Sequence, residues 1–218
     1  MVGLLAGKAV CLEKGGWVGR WRTAPRRLGD LLLGTLRNRF GLDSPLNTDD
    51  RRLLEGTLIP YFAGEAEFQR VLFVGCDFYT AHYERLFPGR EYWTLDKDPA
   101  RAKYGAKRHL VSRLDEAGAH FAPGSLDLVL VNGVLGWGLD RADEAEASFA
   151  ACHACLRPGG VLLLGWNDTP ERLPLSPDES ASLARFEPFV APPLGVSRFL
   201  TRNPNRHTFS FYRKGSSA

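Results

Sequence analysis

The sequence predicts an α/β sandwich built on a mostly parallel sheet, and three observations carry that expectation. Short apolar runs alternate with helix-length segments from Arg70 onward. Two of the runs, Leu126-Asp127-Leu128-Val129-Leu130-Val131 and Val161-Leu162-Leu163-Leu164, are apolar nearly throughout, as strands covered on both faces are. The first run, Arg70-Val71-Leu72-Phe73-Val74, breaks at Gly75, and about 20 residues later Tyr92-Trp93-Thr94-Leu95-Asp96 ends in an acid. That order describes a first βαβ unit, which binds ligands at the carboxyl ends of its strands.

A chain of 218 residues supports one substantial core and a short appendage. We therefore expect a helical, basic arm or lid over residues 1–64, one domain over 65–214 and a disordered tail over 215–218. With 44% hydrophobic and 24% charged residues the composition is that of a soluble globular protein, and no apolar segment is long enough to cross a bilayer. Met1 to Lys8 lacks the basic-then-apolar order of a secretory signal, so a cytoplasmic protein is the expectation. The net charge of +3 is too mild to imply nucleic acid by itself.

The basic excess is concentrated between Lys14 and Arg39, where Trp17 and Trp21 also sit. Leu28, Leu31, Leu32, Leu36 and Phe40 recur there at helical spacing, which predicts an amphipathic helix whose charged face is either solvated or a recognition arm. A second helix is expected over Thr48 to Phe62, with acids at its start, Leu53, Leu54, Leu58 and Ile59 as its apolar face, and Pro60 marking an end or a kink.

Strands are then predicted over Val71–Val74, Tyr92–Leu95, His109–Ser112, Leu126–Val131 and Val161–Gly165, with helices near Tyr79–Leu86, Pro99–Tyr104, Gly133–Leu139 and Asp143–Leu156. Asp168 to Pro193 is proline-rich and reads as a surface excursion with a short helix around Pro177 to Phe186. Arg206 to Arg213 alternates polar and apolar residues after the turn signal Asn203-Pro204-Asn205, and Gly195 to Leu200 is its candidate antiparallel partner.

Cys11, Cys76, Cys152 and Cys155 form no disulfide framework, and reduced thiols are expected. Cys152-His153-Ala154-Cys155 has the spacing of half a zinc site. It falls within a helix and no second ligand cluster completes it, so core packing is the reading and no metal is assigned.

The order of motifs resembles the class I S-adenosylmethionine-dependent methyltransferases. The resemblance lies in Val71-Leu72-Phe73-Val74-Gly75-Cys76, in Leu95-Asp96-Lys97-Asp98-Pro99, in Leu126 to Asn132, and in Cys155-Leu156-Arg157-Pro158-Gly159-Gly160 leading into a strand. It implies a three-layer Rossmann-like sandwich with a mostly parallel seven-stranded sheet and an antiparallel C-terminal strand. It also implies S-adenosyl-L-methionine as cofactor, held over the ends of strands one, two and four. The glycine motif departs from the family pattern: Phe73 replaces an acid, and Asp77 and Tyr79 stand where glycines are usual.

On that resemblance the cofactor-binding residues are Gly75, Cys76, Asp77, Asp96, Lys97, Leu114, Asp115, Asn132 and Gly133. A glycine turn lets backbone approach a ligand, and the amino terminus of a following helix would favour the methionine carboxylate. Asp96 suits both ribose hydroxyls. Its other reading is a helix cap before Pro99. Asp115 either accepts from the adenine amino group or is a solvated loop acid, and Asp77 either receives the methionine ammonium or caps a helix. Asn132 and Gly133 should border the transferable methyl.

On the substrate side, Trp137, Trp166 and Asn167 suit an apolar or aromatic small molecule oriented by a few hydrogen bonds. Methyl transfer is an in-line displacement in which positioning supplies much of the rate. If a base is needed, His82 and Asp168 are the candidates by topology, while His109, His120, His153 and His207 are read as structural or exposed. Strand four ends in Asn132-Gly133-Val134-Leu135, not in the proline-rich run used on base amino groups. A small-molecule methyltransferase at O, N or S is thus the leading expectation. The alternatives are a non-catalytic binding protein of the same fold and a nucleic-acid-binding protein using the basic arm. The sequence sets no oligomeric state.

Overall fold

A computed structural model describes residues 46–216 together with Leu33 and Leu36. Leu33 and Leu36 are helical and exposed; the rest of the expected basic helix lies outside the described residues, as do residues 217 and 218 of the expected tail.

Eight strands form one sheet: β1 (Arg70–Val74), β2 (Glu91–Asp96), β3 (Arg108–Val111), β4 (Leu126–Asn132), β5 (Leu156–Asn167), β6 (Glu187–Pro188), β7 (Arg198–Leu200) and β8 (His207–Arg213). The order is β3-β2-β1-β4-β5-β8-β6, with β7 also paired to β8. Strands β1 to β5 pair in parallel, and β8 inserts antiparallel against β5. Strand order reverses between β1 and β4, which makes the crevice beyond their carboxyl ends the topological switch point. The sheet has one strand more than the seven expected, because Glu187–Pro188 adds a two-residue edge pairing at Arg213 and Tyr212. Such a short, proline-containing segment carries no alternation from which a strand could be read.

Side-chain alternation divides the core into two layers. Leu72, Val74, Val129, Val131, Leu162 and Leu164 meet helix α3 (Ala142–Cys155) and the 3-10 turn Leu114–Ala119. Val71, Phe73, Leu128, Leu130, Leu163, Phe209 and Phe211 meet the N-terminal helical segment and Phe87 on the other face. Ala145, Ser148, Phe149, Cys152 and Cys155 make a buried stripe at helical spacing on α3. Cys152 and Cys155 of the candidate half-site belong to that stripe, and burial raises both thiols. Lys214 ends the helix by donating to the carbonyls of His153 and Leu156, both at 2.7 Å.

The N-terminal segment is α1 (Asp49–Leu53), a π turn (Leu54–Leu58) and α2 (Ile59–Gly64) in one continuous run. Pro60 does not end it. Proline lacks an N–H and crowds the carbonyl four residues earlier, and the widened turn falls where that clash would arise. Leu54, Leu58, Ile59 and Phe62 are fully buried in the same layer as β1. This part of the expected arm is therefore packed as core of the domain.

Three predicted helices are absent. Tyr79–Leu86 is a series of turns ending in a 3-10 turn over Tyr83–Leu86; Gly133–Leu139 is a looped turn; Pro177–Phe186 holds only the 3-10 turns Pro177–Glu179 and Leu183–Arg185. Gly133, Gly136 and Gly138 all take positive φ, which right-handed helix excludes. Pro99–Tyr104 is a 3-10 helix started by Asp98, whose side chain accepts from Ala100 N–H. No helix among the described residues is long and apolar enough to cross a membrane.

Candidate functional site

The carboxyl ends of β1, β2 and β4 converge at Gly75, Asp96 and Asn132–Gly133. Gly75 turns the chain at φ 91°, and a Cβ there would lie 2.9 Å from Val134 Cγ2, so both its conformation and its space call for glycine. Its N–H donates to the Leu95 carbonyl at 3.0 Å, tying the turn to β2. The Asp96 carboxylate completes the tie. One oxygen accepts from Cys76 N–H at 2.7 Å and the other from Asp98 N–H at 2.9 Å. Buried beside that carboxylate, the Cys76 thiol is pushed up to about 12.

Beyond the β1 turn, the Asp77 backbone N–H donates to Thr80 Oγ1 and its side chain accepts from Phe78 N–H, so the chain closes on itself in short turns. The remaining Asp77 oxygen pairs with Arg101 at 2.6 Å. Lys97 Nζ reaches across from the β2 loop to the Gly138 carbonyl at 2.6 Å.

A second polar group lies over β4, β5 and β8 on the face covered by α1. Asn132, Gly165 and His207 alternate in register with core residues of that face, Leu130, Leu163 and Phe209. His207 Nδ1 donates to Asn167 Oδ1 at 2.8 Å, opposite it in the β5–β8 register. With its amide turned to satisfy both neighbours, Asn132 Nδ2 donates to His207 Nε2 at 3.2 Å, and its oxygen accepts from Arg51 Nη1 and Nη2 at 3.3 Å each. Burial lowers His207 to about 4, so the imidazole is neutral and its tautomer is fixed by these two asparagines. Gly165 leaves room for the chain of contacts: a Cβ there would overlap the Asn132 amide and lie 3.0 Å from His207 Nε2.

Arg51 completes the cluster from α1. It is 6% exposed, donates to Tyr83 Oη at 3.1 Å and lies over the Tyr79 ring at 4.5 Å. Tyr83 Oη in turn donates to Glu55 at 2.7 Å.

No protein-family model and no curated protein matches this sequence. Solved structures do. N-methyltransferase NodS from Bradyrhizobium japonicum WM9 aligns with a TM-score of 0.59 at 15% identity, over 78% of this chain and 98% of its own. A TehB-like SAM-dependent methyltransferase from Corynebacterium glutamicum aligns with a TM-score of 0.55 at 17% identity, over 88% of this chain and 96% of its own. An O-methyltransferase family protein from Burkholderia thailandensis gives 0.51 at 18% identity, over 78% and 59%. The chain has the class I methyltransferase fold.

Within the methyltransferase fold, Gly75, Cys76, Asp77, Asp96, Lys97, Asn132 and Gly133 lie at the strand ends where the sequence placed them. Leu114 is buried and Asp115 follows it in the 3-10 turn, where Arg113 grips the carboxylate at 2.8 and 3.0 Å and holds it below its ordinary range. Of the substrate-side residues, Trp166 and Asn167 face opposite layers of the sheet. Trp166 belongs to the layer under α3, donates to Ser210 Oγ at 3.1 Å and is 4% exposed; Asn167, one residue on, faces the opposite layer. Trp137 is 48% exposed in the β4 loop beneath Arg172, 4.2 Å from the ring centre.

Neither candidate base stands free. Asp168 is paired with Arg206 at 2.6 Å. His82 is buried against Tyr83, and burial lowers it, which leaves it neutral. The imidazole bonded to Asn132 is instead His207, which the sequence reading set aside. Arg51 was missed as well. Its signal was a charge three and seven residues before Leu54 and Leu58, on the apolar stripe of its own helix.

Two outcomes follow from this geometry. Replacing Gly165 with Ala should cost about 2–3 kcal/mol, because strand backbone cannot yield to the displaced Asn132 and His207; urea unfolding measures it. The unfolded His207 takes up a proton near its ordinary 6.5 and the folded one only near 4, so stability is complete above about pH 6.5 and falls as pH drops toward 4. Between pH 7 and 4.5 the wild type should lose about 2–3 kcal/mol more than His207→Gln, in which the other histidines still contribute equally.

Proposed function

We propose that this protein is an S-adenosylmethionine-dependent methyltransferase acting on a small-molecule acceptor at O, N or S. The observation that carries the reading is Asp96. Its position at the end of β2, beside the switch point, is the one from which a carboxylate reaches a ribose. Each of its oxygens accepts a single backbone N–H, and a carboxylate offers about four lone-pair sites, so capacity for two hydroxyl donors remains. The residues present therefore fit the cofactor's nucleoside.

Bound there, S-adenosylmethionine supplies an electrophilic methyl on a sulfonium. The chain's own part is positional. Gly75 brings backbone close to the ligand without a side chain in the way, and the backbone N–H of Cys76 holds Asp96 in place. Leu114 and Asp115 are the residues for the adenine, and the carbonyl end of β4 at Asn132–Gly133 borders the reacting atoms. His207 and Arg51 fix the Asn132 side chain, which orients that border. Trp137 and Asn167 are left as acceptor-side residues, since Trp166 is committed to the core. His82 and Asp168 stay as candidate bases only for an acceptor that needs deprotonation, and Asp168 would first have to leave Arg206.

A specific observation favours a second reading, a non-catalytic binding protein of this fold that no longer holds the cofactor. The Asp77–Arg101 pair and the Lys97–Gly138 contact draw the loops after β1, β2 and β4 together across the strand ends. Calorimetric titration separates the two. The methyltransferase reading expects the wild type to bind S-adenosylhomocysteine and Asp96→Asn to bind it roughly 10- to 100-fold more weakly, the size of lost hydrogen bonds to a charged acceptor. Equal affinity in the variant, or no binding by a folded wild type, contradicts it.

A further inference from the structure

The turn after β1 is not followed by a helix, which removes the usual source of positive potential for a ligand carboxylate at this edge. A different positive group stands over the same place. Arg51 is the one arginine among the described residues that is buried, and it is also poorly matched with negative charge. Arg113, Arg141 and Arg198 each grip a carboxylate through two nitrogens, and Arg101, Arg157 and Arg206 each hold one at 2.6 Å. Among the described residues Arg51 has only Asp50, 3.8 Å from its Nε, and Asp50 also accepts from Asn203. Its hydrogen-bond partners among those residues are neutral: Tyr83 Oη and the Asn132 amide, two acceptors for five N–H groups.

The guanidinium lies beside Gly133 at the end of β4. A Cβ at Gly133 would lie 3.8 Å from Arg51 Nη2, and Gly133 is itself exposed with φ 68°, so nothing of its own covers that nitrogen. The ring beneath the guanidinium belongs to Tyr79, in the turns that stand where a glycine loop and helix would be. A buried charge without a close counter-ion is costly unless a ligand supplies one, and a guanidinium matches a carboxylate through two parallel hydrogen bonds.

We propose that Arg51, carried by α1 and stacked on Tyr79, is the anchor for the amino-acid carboxylate of the cofactor above Gly133, in place of a helix amino terminus. This rests on the methyltransferase reading. It assigns the Tyr79 position a role as platform for the arginine, and it makes α1 part of the cofactor site.

The test compares two probes by calorimetry. S-adenosylhomocysteine has the amino-acid carboxylate, and 5′-methylthioadenosine has the same nucleoside and thioether without it. Arg51→Gln should weaken S-adenosylhomocysteine roughly 10- to 100-fold and leave methylthioadenosine within about twofold. Arg51→Lys, which keeps the charge without the fork, should fall between, and it serves as the readable variant if the glutamine form fails to fold. Equal weakening of both probes, or no change in either, overturns the assignment. Wild-type protein that binds methylthioadenosine and S-adenosylhomocysteine equally also overturns it while leaving the nucleoside site intact. Binding of neither probe contradicts the methyltransferase reading itself.

Discussion

The top of the sheet depends on one line of hydrogen bonds, from Arg51 through Asn132 and His207 to Asn167. It crosses from α1 to β4, to β8 and back to β5, elements far apart in sequence. Each step is consistent only with one tautomer and one amide orientation, because a neutral imidazole has one donor and one acceptor. The line explains the glycine at 165, which has no turn to make and sits mid-strand in a buried sheet. It also explains why an antiparallel strand matters here: only a strand running against β5 brings its first residue, His207, to the carboxyl end of its neighbours.

The β1 turn solves a different problem with fewer glycines. Gly75 alone supplies the positive φ, and the rest of the turn is stabilised by side chains: Asp77 with Thr80 and Phe78, then Arg101 closing over Asp77. The Asp77 carboxylate already holds the Phe78 N–H on one oxygen and the Arg101 guanidinium on the other. On the proposed reading, the positive charge of Arg51 and the free lone-pair capacity of Asp96 are what this edge offers a ligand.

The sheet was legible in the sequence because continuous apolar strands and a period of two are strong signals. All five parallel strands and the terminal hairpin fall where alternation put them, within a few residues at their ends, apart from β5, which begins earlier at Leu156. The helices were less legible. Tyr79–Leu86 is captured by Asp77 and Thr80 turns, and Gly133–Leu139 carries three glycines that take positive φ. Asp96 and Asn132–Gly133 could be placed from strand ends. Trp166 and Asn167 were grouped as residues following strand five at one sheet edge, but β5 runs on to Asn167, and adjacent strand residues face opposite layers. Arg51 and His207 were not found because their roles depend on tertiary proximity, the one across 81 positions of chain from Asn132 and the other across 75.

The central claim, that the edge formed by β1, β2 and β4 is a nucleoside site, is tested most directly by a crystal structure of the protein with S-adenosylhomocysteine. The account predicts both ribose hydroxyls on the Asp96 carboxylate and the thioether sulfur over Asn132–Gly133. A nucleoside bound away from Asp96 would contradict it.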